Sequence, residues 1–252
     1  MIAAPEDLGH LPRAGDSSIA YRRRPGKGPT IVFLGGFKSD MSGAKAAALD
    51  AFCAARGQAF LRFDYQGHGA SGGRFEDGTI GLWTEDALLA IDALVSGPVI
   101  LVGSSMGGWI ALNVALARPG LVAGLIGIAA APDFTEDLIW QQMEEPARMV
   151  LETEGVIYET SDYGDDPYAI TKALIDDGRQ HLRLRGPIAF SGPVRLLHGQ
   201  RDPDVPWQRS LTLAEKLESE DVRCIFIKDG EHRLARPSDL TLLATVLAEL
   251  LG

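Results

Sequence analysis

The sequence predicts a doubly wound α/β domain, in which helices cover both faces of a mostly parallel sheet. Two observations support this prediction. Short runs of consecutive apolar residues recur along the chain, and stretches with the apolar spacing of a helix separate most of them. Strands that are buried on both faces are apolar along their whole length, and the intervening helices supply the crossovers that parallel strands need.

The predicted strands and helices alternate in the order that such a sheet requires. Strands are expected at residues 30–34, 59–63, 99–102, 125–129, 194–197 and 223–227. Helices are expected at residues 42–56, 83–95, 106–117, 206–217 and 238–251.

The alternation stops between residues 133 and 190. Roughly 60 residues between two core strands is too long for an ordinary loop, so we predict an inserted, helical cap, with helices at 136–151 and 169–184. The expected organisation is one domain over residues 1–252 with this cap inserted. The sequence does not identify the substrate-binding residues, and the cap at 133–190 is the candidate region for them. Its large side chains are candidates for lining an apolar acyl pocket: Trp140, Met143, Met149, Tyr158, Tyr163 and Tyr168.

The chain is acidic, with 24 Lys and Arg against 34 Asp and Glu and a net charge of −10. This balance argues against nucleic acid or an anionic membrane surface as the main partner, because both attract basic patches.

The sequence shows neither a secretory leader pattern nor an apolar run of about 20 residues. We therefore expect no stable membrane insertion and a cytoplasmic location of the bacterial type. Cys53 and Cys224 lie far apart in apolar segments, which fits a reducing compartment.

A G-x-S-x-G pattern follows the third predicted strand, with Gly103, Ser105 and Gly107 in GSSMGG. Between a strand and a helix this pattern is typical of a sharp turn, the nucleophile elbow. Its flanking positions need glycine because a side chain there would collide with neighbouring backbone. The central side chain projects above the start of the helix. Ser105 holds this position and is the candidate nucleophile, whereas Ser104 is one position early and is expected to be structural.

A serine hydroxyl becomes a good nucleophile when a base removes its proton and a third group orients the base. After an elbow of this type, the acid and then the histidine follow in the chain. The segment HGQRDPDVPW follows strand 194–197 and offers Asp202 and Asp204 as the acid. The segment KDGEHRLARP follows strand 223–227 and offers His232 as the base. Both segments leave carboxyl ends of strands, at the sheet edge that carries the elbow.

Acyl transfer also requires hydrogen-bond donors for the oxyanion. The backbone N–H of Met106, the residue after the candidate nucleophile, is one candidate. The second is expected from VFLGGFKSD after the first predicted strand. There Gly35 and Gly36 allow close approach and leave the N–H of Phe37 to point inward.

The other histidines have weaker signals. His198 is expected to be a packing or hydrogen-bonding residue at the end of its strand, and His68 lies in a turn-rich loop without an assigned role. No two histidines have the spacing of metal ligands, so we expect neither a metal site nor a cofactor.

These segments resemble the serine α/β-hydrolase superfamily in content and order: LGGF, FDYQGHGASGG, GSSMGG, HGQRDPDVP and GEHR. The resemblance extends from about residue 21 to the C-terminus and implies the α/β-hydrolase fold. In the superfamily pattern H-G-x-x-D-x-x-V-P the acid is the first aspartate, which selects Asp202 over Asp204. Gly35 departs from the pattern, because many relatives have histidine before the glycine. More narrowly, the chain is similar to a branch that cleaves palmitoyl thioesters on proteins and acyl glucuronides.

The resulting prediction is a serine hydrolase that cleaves carboxylic esters or thioesters, including S-acyl thioesters, through an acyl-enzyme. Its partner would be a small-molecule or S-acylated protein substrate. Serine at the elbow excludes the dehalogenases and epoxide hydrolases of this fold that use an aspartate nucleophile. A cofactor-free perhydrolase, a serine peptidase and a non-catalytic binding module remain as alternatives, although a binding module is expected to have lost part of the Ser–Asp–His set.

Overall fold

The computed structural model describes residues 6–13, 17–160 and 167–252. Its strands are β1 (Asp7–Pro12), β2 (Ser18–Arg24), β3 (Lys27–Leu34), β4 (Gln58–Phe63), β5 (Val99–Ser104), β6 (Val122–Ile128), β7 (Val156–Glu159), β8 (Tyr168–Thr171), β9 (Val194–Gly199) and β10 (Val222–Ile227). Its helices are α1 (Ala44–Arg56), α2 (Ile80–Leu94), α3 (Met106–Ala117), α4 (Glu145–Glu154), α5 (Lys172–Gly178), α6 (Gln208–Lys216) and α7 (Pro237–Leu251).

Eight strands form one sheet in the order β1-β2-β4-β3-β5-β6-β9-β10. The pairs from β4 to β10 are parallel, and β1 and β2 join antiparallel at one edge. All six strands predicted from apolar runs are present in this sheet, and helices separate them as expected. The prediction of a doubly wound, mostly parallel sheet is confirmed.

Strand β3 illustrates how the sheet divides the core into two layers. Alternate side chains of a strand point to opposite faces. Val32 and Leu34 belong to the apolar cluster that includes side chains of α2 and α3, whereas Ile31 and Phe33 belong to the cluster that includes side chains of α1 and α7. All four are buried, and burial of each stabilises the fold by about 1.5–3 kcal/mol.

The sequence prediction missed β1 and β2. Strand β2 carries Arg22, Arg23 and Arg24, each of which pairs with an acidic side chain. Charged side chains interrupt the apolar pattern on which the prediction depended. The sheet nevertheless gains two antiparallel strands, because the backbone hydrogen bonds of an edge strand do not require apolar side chains on both faces.

The segment between β6 and β9, which we call the insertion (residues 133–190), differs from its prediction in two places. A π-helical turn at Thr135–Trp140 ends before α4, because Glu144 is extended and Pro146 occupies the first turn of the new helix. Residues 168–171 form β8, which pairs antiparallel with β7. The predicted helices at 136–151 and 169–184 are therefore wrong at these points, and the insertion contains a hairpin as well as helices. That residues 1–252 form a single domain stays a prediction.

Asp133 joins the two ends of the insertion. Its carboxylate accepts hydrogen bonds from the N–H groups of Arg183 (2.7 Å) and Leu184 (2.9 Å), and its side chain is fully buried. Burial raises the pKa of Asp133, although these two N–H donors oppose the change. The start of the insertion therefore lies next to residues 183 and 184, which come shortly before its end.

Within residues 6–13, 17–160 and 167–252, no helix is both long and apolar enough to cross a membrane.

Candidate active site

Ser105 lies at the sharp turn between β5 and α3. Its φ of 53° and ψ of −118° are unusual for a residue with a side chain, and such strain is common at active sites. A Cβ atom on Gly103 would lie 2.3 Å from the carbonyl oxygen of Gly107, and one on Gly107 would lie 2.1 Å from that of Leu34. Both positions therefore require glycine. The N–H of Ser105 donates to the carbonyl of Ile128 (2.9 Å), which holds the turn against β6.

Ser105, His232 and Asp202 form one chain of hydrogen bonds. Ser105 Oγ lies 3.0 Å from His232 Nε2, and His232 Nδ1 lies 2.7 Å from Asp202 Oδ2. The Asp202 side chain is fully buried, and that of His232 is 14% exposed. In the neutral state, Nδ1–H donates to the carboxylate and Nε2 accepts the serine proton. The three residues come from loops after β5, β9 and β10.

Asp202 holds its orientation through four hydrogen bonds. Its Oδ1 accepts hydrogen bonds from the N–H groups of Asp204 (2.9 Å) and Val205 (2.8 Å). Its Oδ2 accepts hydrogen bonds from His232 Nδ1 (2.7 Å) and His198 Nε2 (3.1 Å). Burial alone raises the pKa of Asp202, but the hydrogen bonds from both imidazoles and from the backbone bring it well below its usual value. The structure thus joins Asp202 to His232, whereas Asp204 is exposed and lies beside the same cavity.

His198 has a more specific place than the sequence indicated. It is fully buried, and its Nε2 lies within hydrogen-bond distance of both Asp202 Oδ2 and the Val205 carbonyl (3.0 Å). Because both partners can only accept, Nε2 carries the proton, and Nδ1 accepts from the Ser210 hydroxyl (2.7 Å). His198 therefore helps to orient the Asp202 carboxylate through this hydrogen bond. No local rule pointed to this contact, because His198 lies near the end of β9 and Asp202 lies in the loop that follows, so their four-residue spacing is not that of a helix.

The backbone N–H groups of Phe37 and Met106 lie at the serine turn. Gly36 approaches so closely that a Cβ atom on it would lie 3.4 Å from Ser105 Cβ, and Met106 begins α3 directly after the serine. Neither N–H donates a hydrogen bond to any residue that the structure describes. The N-terminus of α3 also favours negative charge at this point. These two amides are thus available to a negatively charged oxygen above Ser105.

A cavity of about 580 Å³ opens over Ser105 and His232. Its lining includes five apolar side chains from the insertion: Phe134, Leu138, Ile139, Tyr168 and Ile170. It also includes charged side chains of both signs: Lys38, Asp40, Lys45, Glu159, Asp204 and Arg233. Burial, with the Arg233 charge, lowers the pKa of Lys45 to about 8. The cavity around Ser105 is thus lined by both apolar and charged side chains.

Of the side chains that the sequence suggested for an acyl pocket and that the structure describes, only Tyr168 lines this cavity. Trp140 and Met143 pack instead against the small apolar cluster inside the insertion. Met149 is 54% exposed and Tyr158 is 61% exposed. Tyr163 lies outside the described residues. The lining was mispredicted because it depends on the helix and strand boundaries of the insertion.

Asp202, Asp204 and His232 place potential metal-ligand atoms within 4.8 Å of one another. The ring nitrogens of His232 and the nearby oxygen of Asp202 already take part in the hydrogen bonds described above. A metal ion at this point would have to displace them.

Comparison with known proteins identifies the family of this arrangement. Residues 31–241 match the family model described as the alpha/beta hydrolase family. The mitochondrial palmitoyl-protein thioesterase ABHD10 of Mus musculus is 42% identical over 247 residues, covering 97% of this chain and 82% of that protein. These matches confirm the resemblance drawn from the motifs.

Two solved structures are also similar over nearly the whole chain. A putative hydrolase from Agrobacterium vitis S4 superposes with a TM-score of 0.94 at 41% identity, covering 98% of this chain and all of that one. Alpha/beta hydrolase domain-containing protein 10 from mouse superposes with a TM-score of 0.89 at 40% identity, covering 97% and 98% of the two chains. The α/β-hydrolase fold that the resemblance implied is thereby confirmed.

The predicted cytoplasmic location of the bacterial type is wrong. The relatives at 40–42% identity are named mitochondrial. Targeting addresses are separate segments that are read and then removed, so the residues of a folded domain carry little information about location.

Proposed function

The chain belongs to the α/β-hydrolase family, and within it we propose a serine hydrolase that cleaves carboxylic esters or thioesters through an acyl-enzyme on Ser105. The observation that carries the proposal is the hydrogen-bonded chain from Ser105 Oγ to His232 (3.0 Å) and on to Asp202 (2.7 Å), which opens to a cavity of about 580 Å³. His232 is the general base and acid, and Asp202 orients it.

Acylation begins when Ser105 Oγ attacks the substrate carbonyl carbon while its proton passes to His232 Nε2. The resulting imidazolium is stabilised by the carboxylate of Asp202, which stays ionised because its pKa is well below its usual value. The tetrahedral intermediate then collapses. The bond to the leaving oxygen or sulfur breaks, and His232 returns the proton to that leaving group, which departs as an alcohol or a thiol.

Deacylation repeats these steps with water. His232 removes a proton from the water as it attacks the acyl carbonyl, and the second intermediate expels Ser105 Oγ, which recovers its proton from the imidazolium. A carboxylic acid leaves and the enzyme returns to its starting state. In both intermediates the oxyanion accepts hydrogen bonds from the N–H groups of Phe37 and Met106.

We propose S-acyl thioesters with an apolar acyl chain as the substrate class, on proteins or on small thiols. The apolar lining residues Phe134, Leu138 and Ile139 suit an acyl chain, and the charged lining residues Lys45 and Arg233 suit a polar leaving group. The similarity to a protein named palmitoyl-protein thioesterase supports this substrate class.

Covalent labelling tests the nucleophile. A fluorophosphonate probe is expected to label the wild type and Ser104→Ala, but not Ser105→Ala, with folding of each variant checked by circular dichroism. Ser104 is the matched control because it is the adjacent hydroxyl and also lines the cavity. Labelling of Ser105→Ala at the wild-type rate would contradict the proposed mechanism.

A substrate panel tests the reaction and the substrate class. Acyl groups from C2 to C16 are offered both as p-nitrophenyl esters and as thioesters of N-acetylcysteamine, and kcat/KM is measured for each. We expect turnover of both series and a rise in kcat/KM with chain length. A protein that hydrolyses neither series would contradict the proposed function, whereas a preference for C2 would contradict only the proposed substrate class.

A further inference from the structure

Residues Gly36–Ser39 form a tight turn, which we call the oxyanion turn. The N–H of Ser39 donates to the carbonyl of Gly36 (3.1 Å), and Lys38 has a φ of 53°, a value that a residue with a side chain rarely adopts. The N–H of Lys38 donates to His68 Nε2 (3.1 Å). Of the three consecutive N–H groups at Phe37, Lys38 and Ser39, the last two are thus bound to acceptors. The first is the proposed oxyanion donor.

His68 is a fixed acceptor. Its ring is 3% exposed and lies edge to face with Phe75 and Trp83, with centroids 5.2 and 5.1 Å away. Its Nδ1 lies 3.1 Å from the carbonyl of Gln66. A carbonyl can only accept, so Nδ1 carries the proton. The N–H of Lys38 can only donate, so Nε2 is unprotonated.

Both hydrogen bonds of His68 therefore require the same neutral tautomer. Burial favours this uncharged state, because it lowers the pKa of His68 to about 4. A protonated ring would direct an N–H group against the N–H of Lys38 and break the contact that holds the turn.

We propose that His68 is a positioning residue for the hydrolytic reaction, whose Nε2 holds the Lys38 amide so that the Phe37 N–H points at the oxyanion above Ser105. This inference rests on the proposed function. His68 acts through the backbone of the oxyanion turn and does not touch the reacting atoms. The turn needs such an anchor because Lys38 is not glycine, so its left-handed conformation costs free energy that a hydrogen bond can offset.

Packing of the Phe37 ring is the competing explanation for the position of the turn. That ring lies edge to face with Phe75, Trp83, Phe134 and Tyr168. Two substitutions separate the explanations. His68→Phe keeps an aromatic ring among its neighbours and removes the acceptor, whereas His68→Gln loses the ring and keeps an acceptor oxygen near the position of Nε2.

We expect His68→Phe to lower kcat by about 10- to 100-fold with KM within about 3-fold of the wild type, since loss of a whole oxyanion donor costs about 10²–10³ in kcat. His68→Gln is expected to retain more kcat than His68→Phe, even if it melts at a lower temperature. A trifluoromethyl ketone, which forms an oxyanion on the serine, is expected to bind His68→Phe more weakly by the same factor as the loss in kcat/KM.

If the wild type is active, three outcomes would overturn this inference and leave the proposed function standing. These are a wild-type kcat for His68→Phe, a lower kcat for His68→Gln than for His68→Phe, and unchanged binding of the ketone. A wild type that hydrolyses no ester or thioester would instead overturn the proposed function, and this inference with it.

A measurement on the wild type covers the case in which neither variant folds. The ¹⁵N spectrum of histidine-labelled protein at pH 7 is expected to show His68 with a protonated Nδ1 and an unprotonated Nε2. A proton on Nε2 would overturn the inference without any variant.

Discussion

The carboxyl edge of the sheet and the insertion contribute to the same cavity in different ways. At the sheet edge, the proposed catalytic residues are held by directional contacts: Ser105 by a strained backbone between two glycines without space for a side chain, and Asp202 by four hydrogen bonds. The insertion contributes mainly apolar side chains such as Leu138 and Ile139, which are only partly buried. Chemistry thus depends on fixed geometry, whereas recognition of an acyl chain depends on apolar surface that is not directional.

The largest effect is expected at the sheet edge from Asp202→Asn. The amide oxygen will remain with the two backbone N–H donors at Oδ1, so the NH₂ group will face His232 Nδ1 and force the wrong tautomer. We expect kcat to fall about 10⁴-fold, which is about 5.5 kcal/mol, with little change in fold. Steady-state kinetics on Asp204→Asn provides the control, and a larger loss in that variant would reverse the assignment of the acid.

Gly107→Ala is expected to produce the next largest effect, on stability. The new Cβ would lie 2.1 Å from the carbonyl oxygen of Leu34, a backbone atom that cannot rotate away. We expect a loss of about 4 kcal/mol or more in the free energy of unfolding, measured by urea denaturation. Gly186→Ala, in the insertion, has no atom within 4 Å of its Cβ and is expected to change stability by less than about 1 kcal/mol. Equal losses in the two variants would remove the contrast between the regions.

Acid pH is expected to expose the cost of burying His68 in the core. Its pKa is lowered to about 4, so between pH 6.5 and 4 the unfolded chain binds a proton that the folded protein does not. Above pH 6.5, His68 is neutral in both the folded and the unfolded protein and does not lower the free energy of unfolding. As the pH drops to 4, protonation of His68 in the unfolded chain lowers the free energy of unfolding by about 3 kcal/mol. Urea denaturation across this range should show wild-type stability falling relative to His68→Phe. Parallel pH profiles for the two proteins would mean that His68 titrates normally.

The smallest of these effects is expected in the insertion. Leu138→Ala should lower kcat/KM for C12–C16 thioesters about 10-fold and leave C2 substrates unchanged, because it removes apolar surface from the cavity lining. Met149→Ala serves as the control, since Met149 is 54% exposed and does not line the cavity. An equal loss on short and long chains would place Leu138 in a structural role instead.

The same division explains what could be predicted from the sequence. Ser105 and His232 follow apolar strands of a parallel sheet, and strand ends on one edge meet in space regardless of the rest of the chain. Local rules about turns and strands therefore located them, and family resemblance separated Asp202 from Asp204. The contacts of His198 and His68 are harder to foresee, because their hydrogen-bond partners depend on the exact path of a loop.

No comparable local rule predicts which side chains of the insertion face the cavity. Tyr168 lines the cavity while Trp140 packs inside the insertion, yet both are aromatic residues in the same stretch. Which of them faces the cavity depends on where the π-helical turn ends and on the pairing of β7 with β8. Pro146 marks the start of α4, but the π-helical turn and the pairing of β7 with β8 have no such marker, so apolar character alone identified candidates without their direction.

The buried carboxylate of Asp133 has a consequence for how such proteins diversify. Because it ties the start of the insertion to Arg183 and Leu184, we expect that a segment of different length between these points would leave the pairing of β6 with β9 intact. Doubling a flexible connection costs only about 0.6 kcal/mol in closure entropy. Recombination or engineering could therefore replace the substrate-recognition segment while the sheet edge that carries Ser105, Asp202 and His232 stays unchanged. Asp133 is the junction to preserve.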